Sequence, residues 1–394
     1  MWHRISSWRI GQIPGAYIIW MIVACLGTIG KVVSGPQSYN NFLIFRGVFW
    51  HTLAEKSLYL EYPLEYFDTN LYGPVFGVVI APLALLPTPI GCLFWGILNA
   101  GILLYSIHRL PITEPQKIGI LLIGLVEMLT SIQNLQFNPM LTSWILLAYV
   151  LTRDGKEKWA ALFVALGFMV KIYGVIALVC WFFSKRRLVF GGWFIIWLAV
   201  LFVIPMVLSS PEFVWDSYGE WMARLASKNE KNRNALANAF MQDISVQGMI
   251  RRISGYTFWD GWVLLPAASV YATAFFLNSK RWIHKEFQQR FLAFLLLGVV
   301  LFSTSAESAT YVIAVVGVGW WYMLETGPRP SWQVFLLLFV LLLTSFSPTD
   351  VFPRVVREEW IKPFSLKALP CFLVWLVMVW QFIIWSKTPQ DLQE

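Results

Sequence analysis

Charge is scarce in this chain. Asp, Glu, Lys and Arg make up 13% of its 394 residues, against about 25% in soluble domains. Cysteine and histidine are scarcer still, with four of each. Cys25, Cys92, Cys180 and Cys371 show no CxxC spacing and sit within or beside apolar runs. That excludes a disulfide framework and a cysteine metal site, and leaves them as small buried hydrophobes. His3, His51, His108 and His284 are scattered and form no metal cluster. The chain has no P-loop, no GxGxxG after a strand, no HExxH and no nucleophile elbow, so the soluble nucleotide, zinc-protease and hydrolase chemistries have no foothold. Internal repeats and low-complexity tracts are also missing.

What fills the chain is apolar. Hydrophobic residues reach 58% and aromatics 17%, including 22 tryptophans. Length alone suggests two or three soluble domains; composition overrules this and gives one all-α polytopic membrane domain over 1–394. A helix needs about 20 residues to cross the bilayer core. Twelve candidate spans follow: 15–33, 73–88, 90–107, 117–133, 138–151, 158–183, 188–208, 261–279, 291–305, 310–324, 331–346 and 369–386. The first, after Arg4 and Arg9, reads as an uncleaved helix, because no small-residue cleavage site follows it. Several spans are short, which predicts broken or half-crossing helices lying inside protein or beside a cavity. Trp2, Trp8, Trp20, Trp380 and Trp385 near the two ends are candidate headgroup-level anchors.

The net charge of +8 does not point to nucleic acid, because the basic residues cluster in short connections between apolar runs. Arg4/Arg9, Lys185–Arg187, and Lys280, Arg281, Lys285 and Arg290 form three patches. The positive-inside bias places all three in the cytoplasm. Twelve crossings satisfy them with both termini inside, as expected of a bacterial inner-membrane protein. Three long connections, 34–72, 209–260 and 347–367, then share the outer face. Long connections are often functional. Within the second, SKNEKNRNALANAF could form a surface helix or a mobile segment; its plain reading is a solvated loop, with a lid as the alternative.

Ionisable groups beside or within apolar runs are the first candidates for chemistry, because burying one in lipid costs several kcal/mol. The first loop, SYNNFLIFRGVFWHTLAEKSLYLEYPLEYFDTNLYGPVFG, interleaves Glu55, Glu61, Glu65 and Asp68 with Tyr59, Tyr62, Tyr66 and Tyr72. Aromatic faces beside carboxylates suit sugars, which offer both C–H faces and hydroxyls; an interfacial segment whose acids merely stay wet is the plainer alternative. Glu127 shares helical spacing with Ser131 and Asn134, and Gln133, Gln136 and Asn138 follow. These amides suit hydroxyls, phosphate oxygens or neighbouring helices. Lys171 is mid-run in FMVKIYG and needs a partner such as Glu127 or an anionic ligand. Glu307 lies among Ser303, Thr304, Ser305 and Ser308. Arg354 and Arg357 in the third loop are shaped for bidentate phosphate contact or for a solvated rim.

Three stretches carry a resemblance: NNFLIFRGVFWHTLAEKSLY, LYGPVFGVVIAPLALLP and QNLQFNPMLTSWILLAYVLTRDGKEKWAALFVALGFMVKIYG. Their order and spacing resemble the membrane-embedded C-superfamily glycosyltransferases, and more narrowly glycosyltransferase family 87, the polyprenyl-phosphate-mannose-dependent mannosyltransferase group. The likeness covers about the first 210 residues and is looser beyond. The chain departs from the family pattern in four places. Asn41 stands where the family has its base aspartate, and an amide takes no proton from a hydroxyl. Leu135–Gln136 replaces Gly-Gln. Tyr173–Gly174 follows Lys171 where a proline is expected. AESATY, with Glu307, replaces a Trp-x-His-His region.

The resemblance implies transfer of a mannose-like hexose from a polyprenyl-phosphate sugar donor to a glycolipid or glycan acceptor, with inversion. It implies no cofactor and no protein-held metal, and leaves a divalent cation open. With the family position occupied by Asn41, the expected base is Asp68, then Glu61 and Glu307. Lys171, Arg46 and Arg357 are the expected phosphate contacts. Asn41 and Asn138 are placed for sugar hydroxyls, Tyr72 and Trp50 for the ring or lipid, and Glu127 and Gln136 for the polar lining. The rival readings are a lipid or solute carrier or flippase, which predicts inverted repeats, and a catalytically silent scaffold.

Single cysteines introduced in 34–72 and in 209–260 are expected to react with an impermeant thiol reagent from the same, external, side of sealed cells; reaction from opposite sides overturns this topology.

Overall fold

The computed structural model describes residues 6–234, 242–325 and 327–387. Trp2, His3 and Arg4 lie outside the described residues, as does the 235–240 end of the polar stretch in the second loop. The described chain is almost wholly helical; its strands are a two-residue hairpin, Arg9–Ile10 against Ile13–Pro14, with Arg9 opposite Pro14. It divides into two compact units, 1–228 and 229–394.

The first unit holds α1 (Gly15–Val33), α2 (Asn40–Leu53), α3 (Phe76–Ala84), α4 (Thr88–His108), α5 (Glu114–Gln133), α6 (Asn138–Arg153), α7 (Glu157–Val170), α8 (Arg187–Val203) and most of α9 (Pro211–Asn234). Local chemistry starts several of them. Pro89, Pro115 and Pro139 stand in the first turns of α4, α5 and α6, where a missing N–H costs nothing. Thr113 and Gln116 form a capping box at α5, with the Thr113 N–H donating to Gln116 Oε1 at 2.9 Å. In packing, α1 lies on α4 and α5, α2 on α3, and α6 on α4 and α7, while α8 lies on α7.

Among the described residues five helices are long and apolar enough to cross a membrane: Gly15–Val33, Thr88–His108, Glu114–Gln133, Arg187–Val207 and Ala368–Lys387. Protein covers little of some of them. Arg187–Val207 has a mean hydropathy of 2.4 yet only 17% of it is buried, and Gly15–Val33 has 1.9 with 22%. Apolar surface of that extent is untenable in water, so lipid is its solvent. The remaining expected spans are shorter. The 73–88 span is the nine-residue α3 with Pro82 inside it. The 158–183 span breaks at Lys171, which is extended (φ −147°, ψ 117°) between α7 and a 3-10 stretch, Ile172–Val179. Gly167 and Gly174 make that break possible: a Cβ on Gly174 would lie 2.2 Å from the Gly167 carbonyl carbon. The expected broken helix is therefore found here.

The second unit contains α10 (Val246–Ser254), α11 (Gly261–Leu277), α12 (Lys285–Leu301), α13 (Tyr311–Leu324), α14 (Ser331–Phe339) and α15 (Ala368–Lys387), with π-helical turns at Val340–Phe346 and Arg357–Ile361. α12 packs on α13 and α15, and α11 on α15. An ion triad pins its first segment. Arg251 donates to Asp243 Oδ2 at 2.6 Å and to Asp260 Oδ1 at 2.7 Å, and all three side chains are buried. Burial pushes the Asp243 carboxyl up, and Arg251 opposes that.

Three expectations change. The 34–72 stretch is not only loop, because α2 packs Phe42, Ile44, Phe45, Val48 and Phe49 inward. The described part of SKNEKNRNALANAF is not a solvated loop: it continues α9, and Lys228 and Asn232 are buried. Trp20 is not a headgroup anchor; it is 1% exposed and donates its indole N–H to the Ala100 carbonyl at 3.0 Å. Trp8 and Trp380 are exposed; Cys92, Cys180 and Cys371 are buried as expected, whereas Cys25 is only half-buried.

Where α3 begins, the chain passes close to α7. Gly73 donates its N–H to the Val170 carbonyl at 3.1 Å, and a Cβ there would come within 2.0 Å of the Met169 carbonyl oxygen. Gly73→Ala is expected to destabilise the protein by about 1–3 kcal/mol through overpacking, read as a lower melting temperature in detergent; an unchanged melting temperature would refute the close approach.

Candidate functional site

The first unit gathers polar residues around the break at Lys171. Lys171 Nζ donates to Asn138 Oδ1 at 2.7 Å and lies over the Tyr173 and Tyr72 rings, 4.9 and 5.7 Å from their centroids. The Tyr72 hydroxyl donates to Gln136 Oε1 at 3.3 Å. Four residues singled out in the sequence, Tyr72, Gln136, Asn138 and Lys171, thus meet in one cluster. Its floor is aromatic: Tyr72 stacks on Phe76 at 4.8 Å and meets Phe45 and Phe137 edge-on. The chain between α5 and α6, which carries Gln136 and leads to Asn138, and the start of α3 meet Lys171 here because α7 stops at Val170, freeing Lys171 from the helical row.

Asp68 stands on the same approach, four residues before Tyr72, so the two Cα atoms lie within about 14 Å. Its backbone is left-handed, with φ 70°, a conformation Asp tolerates better than most residues. Its Oδ1 accepts the Thr69 N–H at 2.9 Å, and its other oxygen is 3.9 Å from Lys228 Nζ. The Asp68 side chain is 52% exposed, so it remains open to a proton-bearing ligand.

The segment around Asp68 is held by its neighbours. Asn40 spans Phe67 on both sides, donating to its carbonyl at 2.6 Å and accepting its N–H at 2.7 Å. Asn70 braces its own turn, accepting the Tyr72 N–H and donating to the Tyr72 carbonyl, each at 3.0 Å. The buried Tyr59 hydroxyl donates to the same carbonyl at 3.0 Å, and burial raises that phenol well above its ordinary range. From α9, Trp221 donates to the Leu71 carbonyl at 3.0 Å, and Arg224 donates to the Thr69 hydroxyl. Further along the loop, His51 Nε2 lies 2.9 Å from Glu65 Oε2 with Tyr66 at its other nitrogen. Contacts to Ser210 lower the Glu55 carboxyl, whose Oε1 accepts the Ser210 N–H at 2.9 Å.

Other expected residues lie elsewhere. Glu61 is exposed, and among the described residues it makes no hydrogen bond or ion pair. Asn41 donates to the Asn134 carbonyl at 2.7 Å. Arg46 donates to the Ala84 carbonyl at 3.0 Å and to Thr88 Oγ1 at 2.7 Å. Glu127 is fully buried on α5, one turn from the buried Ser131, while Asn134 at the end of that row is exposed. In the second unit, Glu307 opens the 3-10 turn Ser308–Thr310, where its N–H donates to the Thr310 hydroxyl at 3.2 Å. Arg357 is engaged by Asp350 at 3.1 Å, by Glu358 at 3.2 Å and by the Thr349 carbonyl at 3.0 Å.

Sequence reasoning missed Trp221, Arg224 and Lys228. Their i, i+3, i+7 spacing places them on one helical face, a signal hidden because the stretch around Lys228 reads as uniformly polar. Among the described residues no group of three or more His, Cys, Asp or Glu is disposed to hold a metal.

No curated protein matches this chain. A family model, Glycosyltransferase family 87, matches residues 70–305. That is more than half of the 394 residues, it runs through both compact units, and it takes in Tyr72, Gln136, Asn138, Lys171, Arg224 and Lys228 while beginning beyond Asn41 and Asp68. With its lipid-facing apolar helices, the chain belongs to glycosyltransferase family 87 and is an integral membrane glycosyltransferase.

Proposed function

We propose that the protein transfers a mannose-like hexose from a polyprenyl-phosphate donor to a glycolipid or glycan acceptor, with inversion. The observation carrying this reading is the half-exposed Asp68 carboxylate on a braced turn leading into the Tyr72–Gln136–Asn138–Lys171 cluster. Asp68 is the general base. A base must come within about 2.6–3.2 Å of the acceptor hydroxyl, and of the three carboxylates considered Asp68 combines openness with a fixed backbone. Glu61 is open but makes no hydrogen bond or ion pair among the described residues to orient it, and Glu307 opens a turn. As the hydroxyl attacks the anomeric carbon, negative charge develops on the departing phosphate oxygen and needs fixed cations or donors. Lys171 supplies one such charge; Gln136 and Asn138 offer hydroxyl-binding amides, and the Tyr72 ring offers an apolar face.

Arg46 and Arg357 already donate to several protein acceptors, so we assign them to holding the chain. In this reading both units serve one glycosyltransferase in a bacterial inner membrane, its termini cytoplasmic and its 34–72, 209–260 and 347–367 connections on the outer face. One observation favours a second reading, a silent scaffold: the Asn41 amide at the family's base position is spent on the Asn134 carbonyl.

Asp68→Asn is expected to lower the transfer rate from a polyprenyl-phosphate hexose at least a hundredfold, as general-base loss does, with the melting temperature unchanged. Wild-type turnover in that variant sinks the base assignment, and absence of turnover in the wild-type protein with any polyprenyl-phosphate hexose supports the scaffold.

A further inference from the structure

Two cations of α9 sit beside Asp68 with donors to spare. Lys228 is 6% exposed in its side chain, and its nearest carboxylate, Asp68, is 3.9 Å away, beyond hydrogen-bond range. Among the described residues the Lys228 ammonium makes no hydrogen bond. One turn earlier, Arg224 gives one nitrogen to Thr69, while its buried Nε has no partner. Lys228 faces a single carboxylate, which is itself half in solvent, and Arg224 stands at the neighbouring Thr69. A buried charge without hydrogen bonds is costly. The arrangement is balanced by an anion that brings several acceptor oxygens, which is the chemistry of a phosphate.

We propose that Arg224 and Lys228 form the cradle for the phosphate of the polyprenyl donor. This rests on the transfer reading above. The acceptor oxygen forms its bond to the anomeric carbon as the bond from that carbon to the phosphate oxygen breaks. The electron pair leaves with the polyprenyl phosphate, whose added negative charge Lys228 and Arg224 meet, and the acceptor's proton passes to Asp68. In-line attack sets a base oxygen and the leaving oxygen roughly 7–8 Å apart. A cation 3.9 Å from Asp68 lies between them and reaches a phosphate oxygen on its far side at a normal hydrogen-bond distance. Lys171, held by Asn138 beside the Tyr72 ring, adds its charge to those of Lys228 and Arg224, as in the transfer reading.

Equilibrium binding of radiolabelled undecaprenyl monophosphate to the purified full chain in detergent tests the cradle without turnover. Lys228→Gln and Arg224→Gln are each expected to weaken binding about tenfold or more, since a hydrogen bond to a charged group contributes at least that factor. Lys228→Arg restores most of it, and Lys231→Gln, further along the same helix, leaves it unchanged. Asp68→Asn removes the competing carboxylate, so binding holds or tightens while transfer is lost. If Lys228→Gln alone does not fold, the neutral pair Asp68→Asn with Lys228→Gln removes the unpaired carboxylate and is still expected to lose the ligand. Wild-type binding in both α9 variants, or in that neutral pair, overturns the cradle, as does displacement of the ligand by an equal concentration of phosphatidylglycerol. An active Asp68→Asn enzyme with weakened binding in Lys228→Gln overturns the base and keeps the cradle.

Discussion

Everything around Asp68 depends on a non-helical strip of chain finding hydrogen-bond partners inside the protein. In lipid no water is available for stray N–H and C=O groups, and irregular backbone survives there only when protein satisfies it. Several polar groups of the 67–73 strip find partners of this kind. Asn40 takes both polar groups of Phe67, Trp221 takes the Leu71 carbonyl, Tyr59 and Asn70 share that of Tyr72, and the Gly73 N–H goes to Val170. Apart from Asn70, which lies in the strip itself, the partners come from different parts of the first unit. The turn carrying Asp68 is therefore fixed from several directions although it is not part of a helix.

The same constraint explains the break after Val170. A continuous helix over 158–183 would bury its polar groups without help but would carry Lys171 along one of its rows. Ending α7 at Val170, with the chain extended at Lys171, frees that side chain to meet Asn138 and the rings of Tyr72 and Tyr173. Gly167 and Gly174 permit the backbones on either side of the break to touch.

The departures from the family pattern are reconciled in part by this geometry. Asn41 cannot act as a base, and its amide is used to hold Asn134 at the end of α5. The replacement of glycine at Leu135 leaves a positive φ of 49° there, so the turn shape persists without the usual residue. The aspartate that remains in the same loop, Asp68, adopts a left-handed backbone that turns its carboxylate out of the wall.

Composition and hydropathy settled the class: scarce charge, long apolar runs and clustered basic residues permit a helical membrane protein and little else. The motif order pointed to the family, and the residue types picked out Tyr72, Gln136, Asn138 and Lys171 as polar groups that an apolar setting would have to partner. Hydropathy could not assemble them, because partners separated by about a hundred residues, such as Tyr72 and Lys171, are brought together only by packing. Nor could it find Trp221, Arg224 and Lys228. Around Lys228 their stretch is polar on every side when read along the chain, and only folding against the Asp68 turn decides which side is buried. Periodicity reports which residues share a face; what that face meets is set by tertiary contacts, and here it meets the Asp68 turn.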